Sequence, residues 1–562
     1  MEMKSRINND EFTDLVPMHE SKPKVLITER LLSDEIINHH ELQKSESTSY
    51  HKTAKSKSDI KDKIKNRQSP GAMKLTKSKK ILIFVFAWIA IIFGAVLGIF
   101  WTKIFDKILV NQLILSPSSQ SYSLWKETPI PMYLKIYLFN WTNPKEFIKN
   151  NAKPHFEELG PYVFREVDYK VNPVWNDNGT ITFNQKRVWH FDKSQSNGSL
   201  SDTITNLNPV AVSIGYKVRH KKLLALAVHY LLKNLNETLT VTKTAGEILF
   251  DGYEDNVLKV ARALNITVGL PGDKFGWFYG RNGSETYDGV FNMLTGSKNL
   301  DNIGILQEWD HKKKSDLYPG KCNAINGTLG DLLPPPADSD TISIFAPDMC
   351  TLIHLKYNNN IDYGGLSGKR FISTAEMFDN GTKVQSRACY CDGVECQPSG
   401  TLNVSICKYG APAFMSLPHF YLADESYRNS IVGMKPDKAK HEFSLAVQTD
   451  FGLPLQVQGR LQLNLLLQPI ERIGIFANIS KVYVPILWFT QEANLTSKYT
   501  NQIKFVLILP LLGQVTLYGI AGIGALVFFI GICLLIRERR KTDDIQNLIS
   551  GNEDNTAVIT SQ

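Results

Sequence analysis

The chain has 562 residues, a formal net charge of +8 and 10% aromatic residues. This length allows several average domains or one large domain with appendages, and an apolar content of 43% excludes a mostly unfolded chain. The excess positive charge lies mainly in the two end segments, which flank long apolar runs. That distribution favours a membrane surface over nucleic acid as its partner.

Residues 1–80 are polar, with few aromatic residues and no sustained helical or strand periodicity. We therefore predict a disordered cytosolic tail. The tail becomes strongly basic between Lys52 and Lys80. Such a run beside a membrane attracts anionic lipid headgroups, at about 1 kcal/mol per charge. The alternative is that these lysines only set the orientation of the following span.

Residues 81–100 form an apolar run without charge or proline. About 20 helical residues cross a hydrocarbon core of roughly 30 Å, and only a helix satisfies the backbone there. The run is too long and too far from the start for a signal peptide. Lysines precede it, so the positive-inside rule places the N-terminus in the cytosol and predicts a transmembrane helix at 81–101. These lysines are Lys74, Lys77, Lys79 and Lys80.

We predict that the middle of the chain, residues 102–504, forms an α+β ectodomain. Short alternating runs predict half-buried antiparallel strands. They lie at 133–139, 180–191, 342–345, 443–448 and 455–468. Helical spacing at 209–236 and 244–263 predicts an inserted helical cap. Because strands and helices do not alternate regularly, we predict a mainly antiparallel sheet or barrel. Residues 364–369 are glycine-rich, and we interpret them as a turn.

The predicted cap opens with a basic cluster. Its members are Lys217, Arg219, His220, Lys221 and Lys222. If the cap is the membrane-distal tip, these side chains form an exposed patch for anionic ligands. The alternative is an ordinary solvated helix face.

Glycosylation acceptors support an ectodomain outside the cytosol. Every Asn-x-Ser/Thr site falls between the two apolar runs, and neither end segment has one. The sites are Asn140, Asn178, Asn197, Asn236, Asn265, Asn282, Asn326, Asn380, Asn403, Asn478 and Asn494.

Six of the seven cysteines lie together in the ectodomain, which predicts three disulfides in an oxidising compartment. They are Cys322, Cys350, Cys389, Cys391, Cys396 and Cys407. Spacing alone leaves about 15 pairings open. A zinc site is the rival interpretation, but the cluster lacks paired CxxC knuckles. The seventh, Cys533, lies in the second apolar run, where palmitoylation and an inert packing role are the alternatives.

Residues 505–536 carry no charge and exceed one span, so we predict an interfacial segment and a second transmembrane helix from about 514. Basic residues follow at once, which places residues 537–562 in the cytosol as well. Gly94 and Gly98 form a GxxxG pattern in the first span. That pattern supports either packing against the second span or self-association into a homo-oligomer.

The C-terminal segment contains an acidic residue four positions before a Leu-Ile pair. Asp544, Leu548 and Ile549 thus have the form of an acidic dileucine signal for sorting adaptors, which predicts endosomal or lysosomal residence. A chance pattern is the alternative. We find no GxSxG, HExxH or GxxxxGK[ST] motif, and we predict neither enzymatic activity nor a cofactor or metal.

The residues between the spans resemble the class B scavenger receptors, which include a fatty-acid-handling receptor and a lysosomal integral membrane protein. The resemblance rests on stretches at 125–147, 158–166, 246–255, 321–328, 403–424 and 484–489. It implies an antiparallel β-barrel with an apical helical bundle and an internal apolar tunnel. It also implies the pairs Cys322–Cys389, Cys350–Cys407 and Cys391–Cys396. The nearest match to an apical lysine that influences fatty-acid uptake in some members is Lys233, beside Asn236, and the match is not clean.

The resemblance implies a receptor that binds lipids, lipoproteins or other anionic ligands at its apex. Fatty acids, cholesterol or phospholipid would then pass through the tunnel to the membrane. One alternative is a lysosomal trafficking receptor for a protein cargo. Another is a two-span ligand-gated channel, but neither span carries an ionisable stripe for a pore. The predicted location is the plasma membrane, the lysosomal membrane or both.

Overall fold

The computed structural model describes residues 76–263, 274–336, 339–391 and 396–559, with side chains as far as Asn547. The predicted disordered tail lies outside this range, apart from its last residues. In chain order the helices are α1 (Lys77–Leu113), α2 (Gln120–Lys126), α3 (Pro144–Asn150), α4 (Pro209–Val218), α5 (Lys222–Asn234), α6 (Asn256–Ala263), α7 (Glu425–Asn429), α8 (Lys438–His441) and α9 (Ser497–Ile559).

The strands range from two residues to twenty-one. They are β1 (Met132–Trp141), β2 (Phe156–Asn176), β3 (Thr180–Phe191), β4 (Thr203–Leu207), β5 (Thr240–Thr244), β6 (Tyr253–Glu254), β7 (Lys274–Phe275), β8 (Val290–Leu294), β9 (Leu306–Trp309), β10 (Thr341–Ala346), β11 (Thr351–Tyr363), β12 (Leu366–Ile372), β13 (Thr401–Asn403), β14 (Ala413–Ser416), β15 (Ser444–Gln448), β16 (Pro454–Leu467) and β17 (Val482–Asn494).

The two spans, α1 and α9, are each long and apolar enough to cross a membrane. They pack closely against each other, since a Cβ on Gly94 would lie 2.4 Å from the Leu517 carbonyl oxygen. Gly98 similarly lies against the Tyr518 ring. Of the two roles that the GxxxG pattern allowed, the structure therefore gives packing against the second span. Both helices extend well past the predicted spans, and Pro510 lies inside α9.

The ectodomain is organised around one 13-stranded antiparallel sheet, with β1 at its centre between β2 and β17. The main path runs β10-β11-β12-β15-β16-β17-β1-β2-β3-β8-β9, and β13 and β14 branch from β16. Among the described residues the strand pairs leave this path open, so the predicted closed barrel is not confirmed. A short segment joins its two edges: Leu306 of β9 donates to the Gly327 carbonyl at 2.8 Å, and Phe345 of β10 donates to the Thr328 carbonyl at 2.8 Å.

Side-chain alternation explains why these segments are strands. In β1, Leu134, Ile136 and Leu138 are buried on one face, and the intervening Lys135 forms an ion pair with Glu492 on the other. Five predicted runs lie within, or within one residue of, β1, β3, β10, β15 and β16. The glycine-rich turn is also confirmed. Gly364 and Gly365 connect β11 to β12 with φ of +59° and +84°, values that glycine adopts without strain.

The helical prediction at 244–263 is confirmed in part. The structure there has the end of β5, a helical segment at 245–251 whose last five residues, Glu247–Asp251, form a π-helical turn, then the short β6 and α6. Gly252 adopts φ +69°, a left-handed conformation that ends the helical segment preceding it. Asp255 then starts α6, because its Oδ1 accepts the backbone N–H groups of Val257 and Leu258. The other predicted helical stretch divides into α4 and α5.

Candidate ligand-binding sites

The helical insertion, α4 and α5, lies at the end of the sheet opposite the two spans. Met132 at the start of β1 pairs with Ala493, just before α9 begins. At the other end of β1, Asn206 of β4 donates to the Phe139 carbonyl at 2.6 Å and to the Pro485 carbonyl at 3.2 Å. Asn208 then caps α4 by accepting two backbone N–H groups, with Pro209 as the first helical residue. This geometry positions the insertion at the membrane-distal end.

Helix α5 buries one face and exposes apolar side chains on the other. Ala225, Val228 and Leu232 are buried in the core. Leu223 is 85% exposed, Leu226 42% and Tyr230 55%. Their spacing of three and four residues places them on one helix face. The sequence analysis did not predict this exposed apolar face. The sequence of α5 has apolar residues on both of its faces, and such a helix is either fully buried or leaves apolar side chains exposed.

The predicted basic cluster lies at the junction between α4 and α5. The Arg219 guanidinium lies 3.6 Å from the centre of the Tyr216 ring and donates to the Tyr216 carbonyl. Partial burial lowers the pKa of Lys217. His220, Lys221 and Lys222 are exposed, and Lys233 is exposed near the far end of α5. Residues 213–236 contain no Asp or Glu, so the charged side chains within this stretch are all basic.

The two best-defined cavities among the described residues are small. One of about 20 Å³ lies beneath the insertion, lined by Leu138, Ile204, Ile248 and Tyr253 among others. A second, of about 10 Å³, lies beside Phe476. A single buried water needs about 10–15 Å³, so neither cavity has room for a lipid. The apolar tunnel therefore remains a prediction.

A row of charged side chains, which we call the charged ladder, lies on the inner face of the sheet between two apolar clusters. Below the buried Phe164, the inward-facing residues of β2 are Glu166, Asp168 and Lys170. Their partners on β3 are Trp189, Arg187 and Gln185. Burial raises the pKa of Glu166, and the Asp168 carboxylate adds to this against the opposing effect of Arg187. Glu166 accepts from Trp189 Nε1 at 3.1 Å and from Gln491 Nε2 at 3.0 Å.

Lys170 is the most deeply buried cation of the ladder, with no exposed side-chain surface. Its Nζ lies 2.6 Å from Asp168 Oδ2 and 2.9 Å from Asp331 Oδ2. Burial alone would lower the pKa of Lys170, but the two carboxylates outweigh it and raise the pKa to about 12. The sequence analysis did not predict the charged ladder. The pattern is visible in the sequence, because the charged residues follow Phe164 at every second position and so lie on the same face of the strand.

A second buried ionic group adjoins the ladder. The Arg281 guanidinium donates two hydrogen bonds to Asp348, at 2.8 and 3.0 Å, and one to Asp288 at 3.0 Å. Arg187 of β3 pairs with the other oxygen of Asp288 at 3.1 Å. Lys408 pairs with Asp348 at 3.2 Å. This group thereby ties β3 to the disulfide-bonded segments around Asp348 and Lys408.

The six ectodomain cysteines form three disulfide bonds. Cys322 bonds to Cys389, Cys350 to Cys407, and Cys391 to Cys396. These are the pairs that the resemblance implied. Cys533 is an exposed free cysteine on α9.

The predicted modification and sorting residues have varied environments. Exposed acceptors are Asn178, Asn197, Asn236, Asn282, Asn326, Asn478 and Asn494. Asn140, Asn380 and Asn403 are half-buried, and Asn265 lies outside the described residues. Asp544 is exposed on α9, whereas the side chains of Leu548 and Ile549 lie outside the described part.

Known proteins resemble this chain over most of its length. The profile of the CD36 family matches residues 84–535. Protein peste of Drosophila melanogaster is 36% identical over 430 residues, which cover 76% of this chain and 77% of that protein. Scavenger receptor class B member 1 of Mus musculus is 32% identical over 469 residues, 81% of this chain and 91% of that protein. Lysosome membrane protein 2 of Rattus norvegicus is 32% identical over 446 residues, 79% and 91% of the two chains. The chain therefore belongs to the CD36 family.

Proposed function

We propose that this two-span protein is a class B scavenger receptor that captures lipid-bearing or anionic ligands at the α4–α5 insertion. Lipoproteins are the ligands we favour, with fatty acids, cholesterol and phospholipid as the lipids transferred toward the bilayer. Both ends of the chain would face the cytosol, and the glycosylated ectodomain would face the lumen or the cell exterior. The observation that carries the proposal is the exposed apolar and basic surface of α5.

The α5 surface combines the two properties that such a ligand needs. Burying an exposed Leu or Tyr against an apolar partner contributes about 1.5–3 kcal/mol per side chain. The exposed Lys221, Lys222 and Lys233 add attraction for anionic headgroups or acidic protein segments and increase the rate of association. The basic charge thus favours capture, and the apolar face favours retention.

The position of the ectodomain on its spans supports the proposed lipid transfer. Only two residues separate the end of β17 from the start of α9, so the sheet connects to the second span without a long linker. A lipid that moves along an apolar path inside the ectodomain avoids exposure to water. We place this path between the insertion and the two spans.

Uptake of a fluorescent lipid from lipoprotein particles tests the proposal. In cells that express the receptor, we expect Leu223→Ser with Tyr230→Ser to reduce particle binding and uptake several-fold, since each change removes exposed apolar area. Val174→Ser is the matched control, because Val174 is 57% exposed near the opposite end of the sheet. Equal uptake by the double variant and this control would refute the role of α5.

Trafficking of a protein cargo is the second candidate function, motivated by the sorting pattern at Asp544 and the similarity to lysosome membrane protein 2. We propose that sorting adaptors recognise Asp544, Leu548 and Ile549. A Leu548→Ala, Ile549→Ala variant should then move from lysosomes to the cell surface, as seen by fluorescence microscopy. A soluble partner that co-purifies stoichiometrically with the full chain would favour cargo carriage over lipid uptake.

A further inference from the structure

The contact between α1 and α9 continues past the apolar part of both helices. On α9 the residues that contact α1 include Gly524, Gly531 and Glu538, which recur at every seventh position. Seven residues make close to two helical turns, so these positions lie on one face of the helix. A Cβ on Gly531 would lie 2.7 Å from Cζ of Phe84, and Glu538 forms an ion pair with Lys80. The contact face of the helix pair therefore extends into the charged segments that adjoin the apolar runs.

Basic side chains of both helices border this contact face. On α1, Lys77 precedes Lys80 by three residues and so faces α9 together with it. On α9, Arg539 and Lys541 border the face on its two sides, because successive helical residues are turned by about 100°. The helices are antiparallel, so Lys77 and Lys541 both lie beyond the ion pair of Lys80 with Glu538, away from the apolar runs. We call these four cations and Glu538 the basic end group.

The placement of these cations exceeds what membrane orientation requires. The positive-inside rule depends on how many lysines and arginines lie near a span, and not on which helix face carries them. Lys77, Arg539 and Lys541 are exposed, and the ion pairs of the described residues do not include them. Four cations against one carboxylate give the basic end group a charge of +3. Like charges held close together favour the binding of an anion that contacts several of them.

We propose that the basic end group binds the polyphosphorylated headgroup of a phosphoinositide in the cytosolic leaflet. The site rests on the proposed orientation, in which both chain ends face the cytosol, and adds a ligand on the side opposite the ectodomain. A headgroup with several phosphates contacts cations of both helices at once, whereas the single net charge of phosphatidylserine neutralises only part of the group. The bound headgroup therefore connects α1 to α9 at the membrane surface.

Titration of the full chain in phosphatidylcholine nanodiscs with fluorescent dioctanoyl phosphatidylinositol bisphosphate tests this site. We expect this lipid to bind at least about tenfold more tightly than fluorescent dioctanoyl phosphatidylserine, because its headgroup carries more negative charge. Soluble inositol trisphosphate should bind more weakly than the lipid, because it is not held at the membrane surface. Empty nanodiscs give the background. Equal affinity for the two lipids, or for the lipid and the soluble headgroup, would overturn the proposal.

Matched variants on α9 separate this site from a general effect of charge. Arg539→Gln with Lys541→Gln removes two cations from the contact face, and we expect the affinity for the bisphosphate lipid to fall at least about tenfold. Arg537→Gln with Arg540→Gln removes the same charge at the same depth, but these residues are turned away from α1, so the affinity should change less than about threefold. Equal losses in the two double variants would overturn the site.

A third variant should change the affinity in the opposite direction. Glu538→Gln removes the carboxylate that competes for Lys80, and we expect the bisphosphate lipid to bind about threefold more tightly or better. A loss of affinity in this variant would contradict the proposal. Nanodiscs expose both membrane faces, so binding there does not depend on the proposed orientation. Chain ends that protease digests from outside intact cells would instead overturn that orientation, and with it the cytosolic leaflet.

Discussion

Gly94 of α1 lies in direct contact with the backbone of Leu517 in α9, so that any Cβ at position 94 would lie 2.4 Å from the Leu517 carbonyl oxygen. It would also lie 2.7 Å from the Ala521 backbone nitrogen. Backbone atoms cannot rotate away as a flexible side chain can. The two spans can therefore stay at this separation only if residue 94 has no side chain.

Gly94→Val should force the two spans apart. Overpacking of this kind costs about 1–3 kcal/mol, and we expect a lower thermal midpoint of the detergent-solubilised full chain. Gly519→Val is the control, because it also replaces a helical glycine by valine, but a Cβ at position 519 would have no neighbouring atom within 4 Å. If both variants melt at the same temperature, the close contact of α1 with α9 is not what stabilises the pair.

Arg281→Met should strongly destabilise the ectodomain. The substitution removes the Arg281 guanidinium from Asp288 and Asp348, which keep only Arg187 and Lys408 of their described cationic partners. Breaking a buried pair on one side costs about 3–5 kcal/mol.

Lys312→Met provides the surface comparison, because Lys312 and Asp316 are each about 60% exposed. An exposed pair contributes about 0–1 kcal/mol. Thermal unfolding of the two variants should therefore differ widely, and similar midpoints would contradict a structural role for the Arg281 group.

Glu166→Gln should change how stability depends on pH. The folded state raises the pKa of Glu166, so its contribution to stability is fully present below the unfolded pKa and is lost as pH rises through the folded pKa. Glutamine resembles the protonated carboxyl group but cannot ionise, so the variant does not lose this stability as the pH rises. Relative to wild type, the variant should gain stability as the pH rises above 4.5, the ordinary pKa of a glutamate, as measured by thermal unfolding at several pH values.

The control for Glu166→Gln is Glu157→Gln on the same strand. Glu157 is exposed, so its substitution should leave the pH profile of unfolding unchanged. A gain of stability with pH in both variants would point to a general charge effect instead of the buried carboxyl.

The sequence predicted features that arise from local pattern. The uninterrupted apolar run at 81–100 required a membrane helix, and alternation in 180–191 required a strand, because burial on one face suffices for each. The ladder and the exposed face of α5 could not be predicted in this way. Whether Lys170 is buried depends on Asp331, which is 161 positions away in the chain. Whether Leu223 is exposed depends on which elements pack against α5.

The three disulfides should stabilise the ectodomain unequally. Cys322 and Cys389 are separated by 67 positions, and Cys350 and Cys407 by 57, whereas Cys391 and Cys396 are separated by 5. In the loop-entropy account a bond that closes a long loop contributes about 4 kcal/mol, and one that closes a five-residue loop contributes about 2 kcal/mol. Replacing each pair by serine and comparing thermal midpoints should therefore show a larger loss for Cys322 with Cys389 than for Cys391 with Cys396. The reverse order would mean that packing around the short bridge, and not the unfolded chain, controls the effect.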